Sequence, residues 1–185
     1  MRIIGGKFKG KKMYLPIDTN TRPLRDLVKE SIFNLIEHSN KFKSHVYNAD
    51  ILDLFSGSGS FGLECFSRGA KEITFIENYT SAIKILKKNI LEINAVDKCK
   101  IIEEDCFDYF ERNKCNNKFN IIFLDPPYRE QKINMLIEKI KKKLILKKDG
   151  IIIIHRHQKD EIDISNNLNI LDLRKYGISK IIIGN

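Results

Sequence analysis

Three features of the sequence predict an α/β fold, a mostly parallel sheet with helices on both faces. From residue 49 onward, short apolar runs typical of strands alternate with segments typical of helices. The apolar runs are nearly continuous, as expected for parallel strands that are covered on both faces. The last two runs lie only about five residues apart, too close for a crossover helix. They should therefore form an antiparallel hairpin at the edge of the sheet.

Seven apolar runs are the predicted strands of this sheet. They cover residues 49–55, 72–77, 99–105, 119–125, 150–155, 169–174 and 180–184. The helices predicted between the first five strands lie near residues 60–68, 80–93, 106–112 and 131–146. In such a fold, ligands bind outside the carboxyl ends of the strands, so functional residues are expected where these runs end.

An N-terminal extension precedes the alternating pattern. Residues 1–16 are predicted to form a short hairpin, because two short runs flank a glycine-rich turn region. Residues 22–37 are predicted to form a helix, with Pro23 in its first turn and apolar residues at helical spacing. We expect one domain over residues 1–185, with the extension at 1–40 and the core at 48–185.

The composition is ordinary for a globular protein, with 42% hydrophobic and 31% charged residues. No apolar run approaches the roughly 20 residues needed to cross a bilayer. The basic N-terminus lacks the apolar stretch of a signal peptide. We therefore expect a cytoplasmic protein with no membrane partner.

The net charge of +9 favours a polyanionic partner, because each phosphate contact releases condensed counterions. The chain is also rich in Lys, Ile and Asn, residues of A/T-rich codons, which is an alternative explanation for part of the charge. Its four cysteines lack the close-spaced pairs of a zinc site, so reduced, mostly buried thiols and no metal site are expected. They are Cys65, Cys99, Cys106 and Cys115.

A glycine-rich loop follows the first predicted strand and leads into a helix. Gly57, Gly59 and Gly62 match G-x-G-x-x-G, a pattern typical of dinucleotide sites. Asp53 disagrees with that interpretation, because a carboxylate beside the loop would repel a pyrophosphate. S-adenosylmethionine carries a sulfonium and an ammonium and no phosphate, so the same carboxylate would attract it. The loop therefore predicts an S-adenosylmethionine site, with Phe55 in its wall.

Two further acidic residues end predicted strands and complete the cofactor site as we interpret it. Glu77 follows the second strand, and its two oxygens can accept both hydroxyls of a ribose. Asp105 ends the third strand, where it could accept a hydrogen bond from an adenine amine. A parallel-sheet core requires no acid at these positions, although single acids at strand ends are common on protein surfaces.

The fourth strand ends in Asp125-Pro126-Pro127-Tyr128. Consecutive prolines end strand pairing and fix φ, so the Pro126 carbonyl points in a set direction. The Asp125 carboxylate and this carbonyl can accept the two N–H groups of an exocyclic amine, while Tyr128 stacks on the base. The amine must be unpaired or flipped out to reach them. The motif predicts methylation of an amine on a nucleic-acid base, by positioning and electrostatic support.

Over nearly its whole length the chain resembles the bacterial 16S rRNA guanine-N2 methyltransferase family, small single-domain class I enzymes. Five segments carry the resemblance. They are MRIIGGKFKGKKM at the start, Arg22 to Phe33, LDLFSGSGSFGLECFSRGA at 52–70, FLDPPY at 123–128, and KYGISKIIIG near the end. The resemblance implies a Rossmann-like, seven-stranded sheet and methyl transfer to the N2 amine of a guanine in 16S rRNA.

The N-terminal extension suits the grip on RNA that the resemblance implies, because cations interleave with aromatic residues. The predicted RNA-binding residues are Arg2, Lys7, Lys9, Lys11, Lys12, Arg22 and Arg25. The family usually has threonines where this chain has Leu24 and Arg25, and an arginine where it has Leu27. His155 also stands at a strand end where a carboxylate is expected. These departures bear on the target nucleotide rather than on the chemistry.

Three alternatives remain open at this point. The same chemistry could act on the N6 amine of adenine in DNA, although such enzymes usually carry an extra target-recognition segment. The glycine loop could serve an NAD-dependent oxidoreductase, which Asp53 and the Asp-Pro-Pro-Tyr motif disfavour. The chain could also be a non-catalytic RNA-binding module, against which the intact motif residues count. We expect a monomer that acts on 16S rRNA, either free or within a ribosomal assembly intermediate or small subunit.

Overall fold

The computed structural model describes residues 1–17, 24–112 and 118–185. The predictions for Arg22, Pro23 and Cys115 lie outside these ranges. Within them the protein is one sheet of seven strands in the order β3-β2-β1-β4-β5-β7-β6, with five α-helices. In chain order the elements are α1 (Asp26–His38), β1 (Asp50–Leu54), α2 (Ser60–Ser67), β2 (Glu72–Ile76), α3 (Thr80–Glu92), β3 (Cys99–Ile102), α4 (Cys106–Arg112), β4 (Phe119–Leu124), α5 (Ile133–Lys142), β5 (Leu146–His157), β6 (Ile170–Tyr176) and β7 (Ser179–Gly184).

The predicted fold class is confirmed by the strand pairing. The first five strands are parallel, and β7 runs antiparallel to both β5 and β6. The strand order reverses between β1 and β4, where Leu54 lies opposite Leu124. The carboxyl ends of β1 and β4 are therefore neighbours at the point where α/β sheets bind ligands.

Two apolar layers cover the sheet. On one face, α1, α2 and α3 pack on alternate strand residues such as Ile51, Phe123 and Ile153. On the other face, α4 and α5 pack on the intervening residues, such as Leu52 and Ile122. Both layers are apolar because a parallel strand is buried on both sides. No helix in the described part of the chain is long and apolar enough to cross a membrane.

β5 is longer than the apolar pattern predicts, 146–157 rather than 150–155. Its carboxyl end continues because β7 provides an antiparallel partner as far as the pair His157 and Ser179. The helix predicted at 131–146 is correspondingly shorter and covers Ile133–Lys142. It ends where Leu144 takes a left-handed φ of 52°, after which the chain enters β5.

The N-terminal extension is packed against α2. Its short hairpin is closed by an antiparallel bridge between Arg2 and Lys12. Glu64 of α2, fully buried, accepts hydrogen bonds from the backbone N–H groups of Ile4 and Gly5, both at 2.8 Å. Gly6 passes so close to Ser67 that an added Cβ would lie 1.9 Å from its carbonyl oxygen. The hairpin is thus fixed to the core through backbone contacts.

A buried ion pair joins α1 to the same glutamate. The Lys29 side chain is 1% exposed and lies with its Nζ 3.5 Å from Glu64 Oε2. Burial lowers the pKa of Lys29, and the adjacent Glu64 charge opposes that shift. Lys29 Nζ also donates to the Arg2 carbonyl at 2.6 Å, and Arg68 Nε donates to Glu64 at 2.9 Å. One carboxylate therefore connects the extension, α1 and α2.

We expect Glu64→Ala to lower the free energy of unfolding by about 3–5 kcal/mol, because it leaves the Lys29 charge buried without its partner. The amides of residues 3–5 should also lose protection in hydrogen exchange. Denaturant unfolding and exchange of the purified protein measure both effects. Glu138→Ala, which breaks an exposed pair with Lys142, is the control and should leave the unfolding midpoint in place. An equal effect of the two substitutions would contradict the anchoring role.

Candidate active site

A cavity of about 550 Å³ opens at the carboxyl ends of β1, β2 and β4. It is lined by both sequence motifs, the glycine loop after β1 and the Asp-Pro-Pro-Tyr loop after β4. The predicted site residues in its wall are Asp53, Phe55, Gly57, Glu77, Asp125, Pro126, Tyr128 and Arg25. Residues from two different loops thus share one chamber, because β1 and β4 are adjacent strands.

The glycine loop turns the chain sharply from β1 into α2. Phe55, Gly57 and Gly59 all have left-handed φ values, of 57°, 54° and 85°. Such a conformation is strained for Phe55, and strain of this kind is typical of functional loops. Gly62 serves packing, because an added Cβ would lie 2.3 Å from the Phe75 ring. Gly59 caps α2 and is not among the residues that line the cavity.

Asp53 lies at the base of the cavity and is 1% exposed. Its carboxylate accepts a hydrogen bond from Gly62 N–H at 2.9 Å, in the first turn of α2. Burial raises the pKa of Asp53 well above its ordinary value, and the nearby charges of Asp125 and Glu77 raise it further, against the effect of Gly62. Three carboxylates around one chamber make it a site that favours a cation.

Glu77 is held by three backbone N–H groups at the start of the loop after β2. Its Oε2 accepts from Gly57 at 2.7 Å, and its Oε1 accepts from Asn78 at 3.0 Å and Tyr79 at 2.8 Å. These bonds fix the orientation of the carboxylate and tie the glycine loop to β2. The carboxylate lines the cavity, and an oxygen can accept more than one hydrogen bond.

Asp105 occupies a different position, at the beginning of α4. Its Oδ1 accepts from Phe107 N–H at 2.8 Å, and its Oδ2 accepts from the side-chain amide of Asn78 at 3.0 Å. It is not among the residues that line the cavity, whereas Asn78 is. Its contact with a cofactor adenine stays a prediction. In this structure Asp105 caps α4 and orients Asn78.

Asp125 is the most accessible of the three cavity carboxylates, with a side chain 21% exposed. Its Oδ1 lies 2.7 Å from Nδ1 of His155, and Nε2 of that ring lies 2.9 Å from the Ser179 hydroxyl. His155 and Ser179 come from β5 and β7 and also line the cavity. Asp125, just after β4, is therefore held by His155 of the neighbouring strand β5, which is held in turn by Ser179 of β7.

The rest of the Asp-Pro-Pro-Tyr loop is held from β5 as well. The Arg156 guanidinium is buried and donates to the carbonyls of Pro127, Tyr128 and Glu130 at 3.1, 3.2 and 2.9 Å, and it pairs with Asp160. The ring of His157 meets the Tyr128 ring edge to face, with centroids 5.3 Å apart. Three consecutive residues of β5 thus position the loop.

Sequence reasoning missed most of these supporting residues. The sequence identified His155 only as a departure from the family pattern. It predicted no role for Arg156, His157 or Ser179. His155, Arg156 and His157 could have been found from the sequence, because this polar run directly follows four isoleucines at the carboxyl end of a predicted strand. Ser179 gives no such signal, because its role depends on β7 pairing beside β5.

The predicted RNA-binding residues are spread over the hairpin and the start of α1. Arg2 pairs with Asp26 at 2.7 Å and Lys11 with Glu92 at 2.6 Å. Lys9 and Lys12 are exposed on the hairpin, and the exposed Arg25 reaches the cavity wall. Of the predicted cations that the structure describes, Arg25 therefore lines the cavity, whereas Arg2, Lys7, Lys9, Lys11 and Lys12 lie on the N-terminal hairpin.

The sheet order, the antiparallel last strand and the acidic cavity at the switch point together define a class I methyltransferase. A family model described as "Conserved hypothetical protein 95" matches residues 1–185. The chain is 32% identical over 185 residues, 99% of this chain and 97% of the relative, to "Putative rRNA methyltransferase YlbH" of Bacillus subtilis. The chain belongs to this family, and the resemblance stated from its sequence is confirmed.

Two further comparisons agree. "Ribosomal RNA small subunit methyltransferase D" of Haemophilus influenzae is 33% identical over 143 residues, which are 75% of this chain and 71% of that protein. The solved structure of "Putative methyltransferase yhhF" from Escherichia coli superposes with a TM-score of 0.84 at 26% identity, covering 100% of this chain and 96% of that one. The protein is thus a methyltransferase by family and by fold.

We expect Asp53→Asn to stabilise the free protein at pH 8 and to have little effect at pH 4. The raised pKa means that the folded state holds its proton longer than the unfolded state. The stability contributed by Asp53 is therefore complete at low pH and is lost as the pH rises through the folded-state value. A gain of 1 kcal/mol corresponds to roughly 2–4 °C in Tm for a chain of this size.

Thermal unfolding of the wild type and of Asp53→Asn at the two pH values measures this difference. Asp97→Asn, at an exposed position outside the cavity, is the control and should show no gain at pH 8. A variant that is equally destabilised at both pH values would show that the carboxylate stabilises the fold.

Proposed function

We propose that the protein transfers a methyl group from S-adenosylmethionine to the exocyclic N2 amine of a guanine in small-subunit ribosomal RNA. The observation that carries the proposal is the single cavity that holds both a buried pair of carboxylates, Asp53 and Glu77, and the Asp125 loop. Asp53 and Glu77 suit a cationic cofactor, and the Asp125 loop suits the amine that accepts the methyl group.

The residues present fit S-adenosylmethionine better than a dinucleotide. The acidic end of the cavity is built from Asp53 and Glu77, whereas a pyrophosphate requires N–H donors or cations without opposing carboxylates. We assign Asp53 to the amino-acid end of the cofactor and Glu77 to its ribose, with Phe55 and Gly57 in the surrounding wall. When bound, S-adenosylmethionine supplies an electrophilic methyl carbon attached to a cationic sulfur.

The Asp125 loop orients the acceptor amine. The Asp125 carboxylate and the Pro126 carbonyl each accept one N–H, which turns the nitrogen lone pair toward the cofactor end of the cavity. The negative charge of Asp125 also stabilises the positive charge that develops on the nitrogen. Tyr128 offers an aromatic face to the flipped base.

Several features support RNA as the substrate, and the relatives from Bacillus subtilis and Haemophilus influenzae named above carry ribosomal RNA in their names. The basic hairpin presents Lys9 and Lys12 to solvent on the extension, and Arg25 extends to the cavity mouth. Cations for phosphates beside an aromatic-lined pocket for one base suit a flipped nucleotide in folded RNA. We further propose that a cytoplasmic monomer acts on 16S rRNA, either free or within a ribosomal assembly intermediate or small subunit.

The direct test is transfer of labelled methyl from S-adenosylmethionine to small-subunit rRNA or its assembly intermediates, followed by nucleoside analysis. We expect N2-methylguanosine as the product. Transfer to adenine in DNA instead would keep the chemistry and overturn the substrate, and cofactor binding without transfer to either nucleic acid would favour a non-catalytic module.

We expect Asp125→Ala to reduce kcat by about 10²–10³-fold, the range found when one transition-state hydrogen bond is removed, while cofactor binding is retained. Asp53→Asn should instead weaken cofactor binding. Losing a charge-assisted hydrogen bond, about 1.5–3 kcal/mol, weakens cofactor binding by roughly 10–100-fold. Calorimetric titration with S-adenosylmethionine and single-turnover transfer separate the two effects. Full activity of Asp125→Ala would refute its role.

We expect the triple variant Lys9→Ala, Lys11→Ala and Lys12→Ala to bind rRNA more weakly and with a flatter salt dependence. Each lost phosphate contact should reduce the slope of log K against log[salt] by about 0.7–0.9. The matched control removes the same charge elsewhere, with Lys141→Ala, Lys142→Ala and Lys148→Ala. Filter binding at several salt concentrations measures both slopes, and equal changes would show that total charge matters rather than the hairpin.

A further inference from the structure

The imidazole of His155 is fully engaged on both of its nitrogens. Nδ1 faces Asp125 Oδ1 at 2.7 Å and Nε2 faces the Ser179 hydroxyl at 2.9 Å. The residue is 6% exposed, so its ring is enclosed between the end of β4 and the start of β7. A packing role alone does not require a histidine with a partner at each nitrogen.

The chemistry of these partners determines the tautomer. An ionised carboxylate can only accept hydrogen bonds, so the imidazole nitrogen facing Asp125 must carry the proton. A neutral His155 therefore has its hydrogen on Nδ1, and its bare Nε2 accepts from the Ser179 O–H. Ser179 is itself buried, and its hydroxyl can donate to the bare Nε2, so it is compatible with the tautomer that Asp125 sets.

The hydrogen bond from His155 occupies one oxygen of Asp125 and leaves the other available. Within residues 1–17, 24–112 and 118–185, Asp125 Oδ1 is held by His155 while no side chain donates to Oδ2. The charge of nearby Asp53 repels the Asp125 carboxylate. Asp53 therefore does not hold Asp125 in a fixed orientation. The orientation of Asp125 thus depends on His155.

We propose that His155 is a positioning residue for methyl transfer. This proposal rests on the function proposed above. Its Nδ1–H holds Asp125 Oδ1 so that Oδ2 is the oxygen presented to the acceptor amine. The Ser179 hydroxyl is hydrogen-bonded to the other ring nitrogen and keeps the imidazole in this orientation. Arg156 and His157 then hold the following residues of the same loop, so one strand end sets both the acid and the tyrosine that contact the base.

Two amide substitutions separate this role from simple packing. In His155→Asn, the amide nitrogen is two bonds from Cβ, as Nδ1 is, and it can donate to Asp125. In His155→Gln, the amide nitrogen is three bonds from Cβ, as Nε2 is, so the donor faces Ser179 and Asp125 is released. The two variants are alike in charge and in loss of the ring, and they differ in which end of the imidazole they replace.

We expect His155→Asn to keep kcat within about threefold of the wild type, and His155→Gln and His155→Phe to lose about 10–100-fold, the order found when a reacting group is misplaced by about 1 Å. The dissociation constant for S-adenosylmethionine and KM for RNA should stay within about twofold in all three, because His155 is 6% exposed and its ring nitrogens are engaged by Asp125 and Ser179. Single-turnover transfer and calorimetry measure these quantities.

Nitrogen-15 NMR of the free wild-type protein tests the tautomer without any turnover. We expect the hydrogen of the neutral His155 ring on Nδ1, both in the wild type and in Ser179→Ala, because the Asp125 carboxylate and not the hydroxyl sets its position. A proton on Nε2 in the wild type would overturn the assignment. So would equal losses in His155→Asn and His155→Gln, or full activity in all three His155 variants.

The outcomes separate this inference from the proposed function. If the wild type methylates no RNA, the function fails while the tautomer can still be observed. If the wild type is active and Asn fails to substitute for His155, the function stands and the positioning role is wrong. Unfolding midpoints of the variants identify any loss of activity that comes from misfolding, and the wild-type NMR result decides the assignment even then.

Discussion

β1 and β4 are neighbours in the sheet although β2 and β3 come between them in the chain, and every functional feature depends on that pairing. With Leu54 opposite Leu124, the glycine loop and the Asp-Pro-Pro-Tyr loop leave the sheet side by side. The charge of Asp125 consequently contributes to the raised pKa of Asp53. The two motif loops thus line one chamber.

The like charges of the carboxylates around that chamber destabilise the folded protein when no ligand is bound. Burial raises the pKa of Asp53, and two further carboxylates add to the effect. Among the described residues that line the cavity, Arg25 is the one lysine or arginine, and it is an exposed residue. A cation of the right shape relieves this repulsion when it binds, so the unfavourable charge of the empty site contributes to affinity and to selection against anionic cofactors.

The sequence predicted the fold and the two motif loops because both depend on local patterns. Apolar runs alternate with helices, and Asp53, Gly57 and Asp125 occur at strand ends that the pattern itself identifies. The partners of His155 and Arg156 could not be assigned in this way, because they lie in the loop after β4 and on β7 and are brought together only by the sheet order. The carboxyl end of β5 was predicted wrongly for the same reason, since pairing with β7 extends the strand through polar residues.

The extension and the active site are mechanically connected through α2. Glu64 holds the hairpin backbone at Ile4 and Gly5, one turn after the helix begins beside the glycine loop at Gly59. Lys29 joins α1 to the same carboxylate, and Arg25 at the start of α1 reaches the cavity wall. The distance from the proposed phosphate contacts to Asp125 is therefore set by buried packing rather than by a flexible linker. A substrate gripped by the hairpin must present its base at one fixed distance, which favours a folded RNA of defined shape over any exposed guanine.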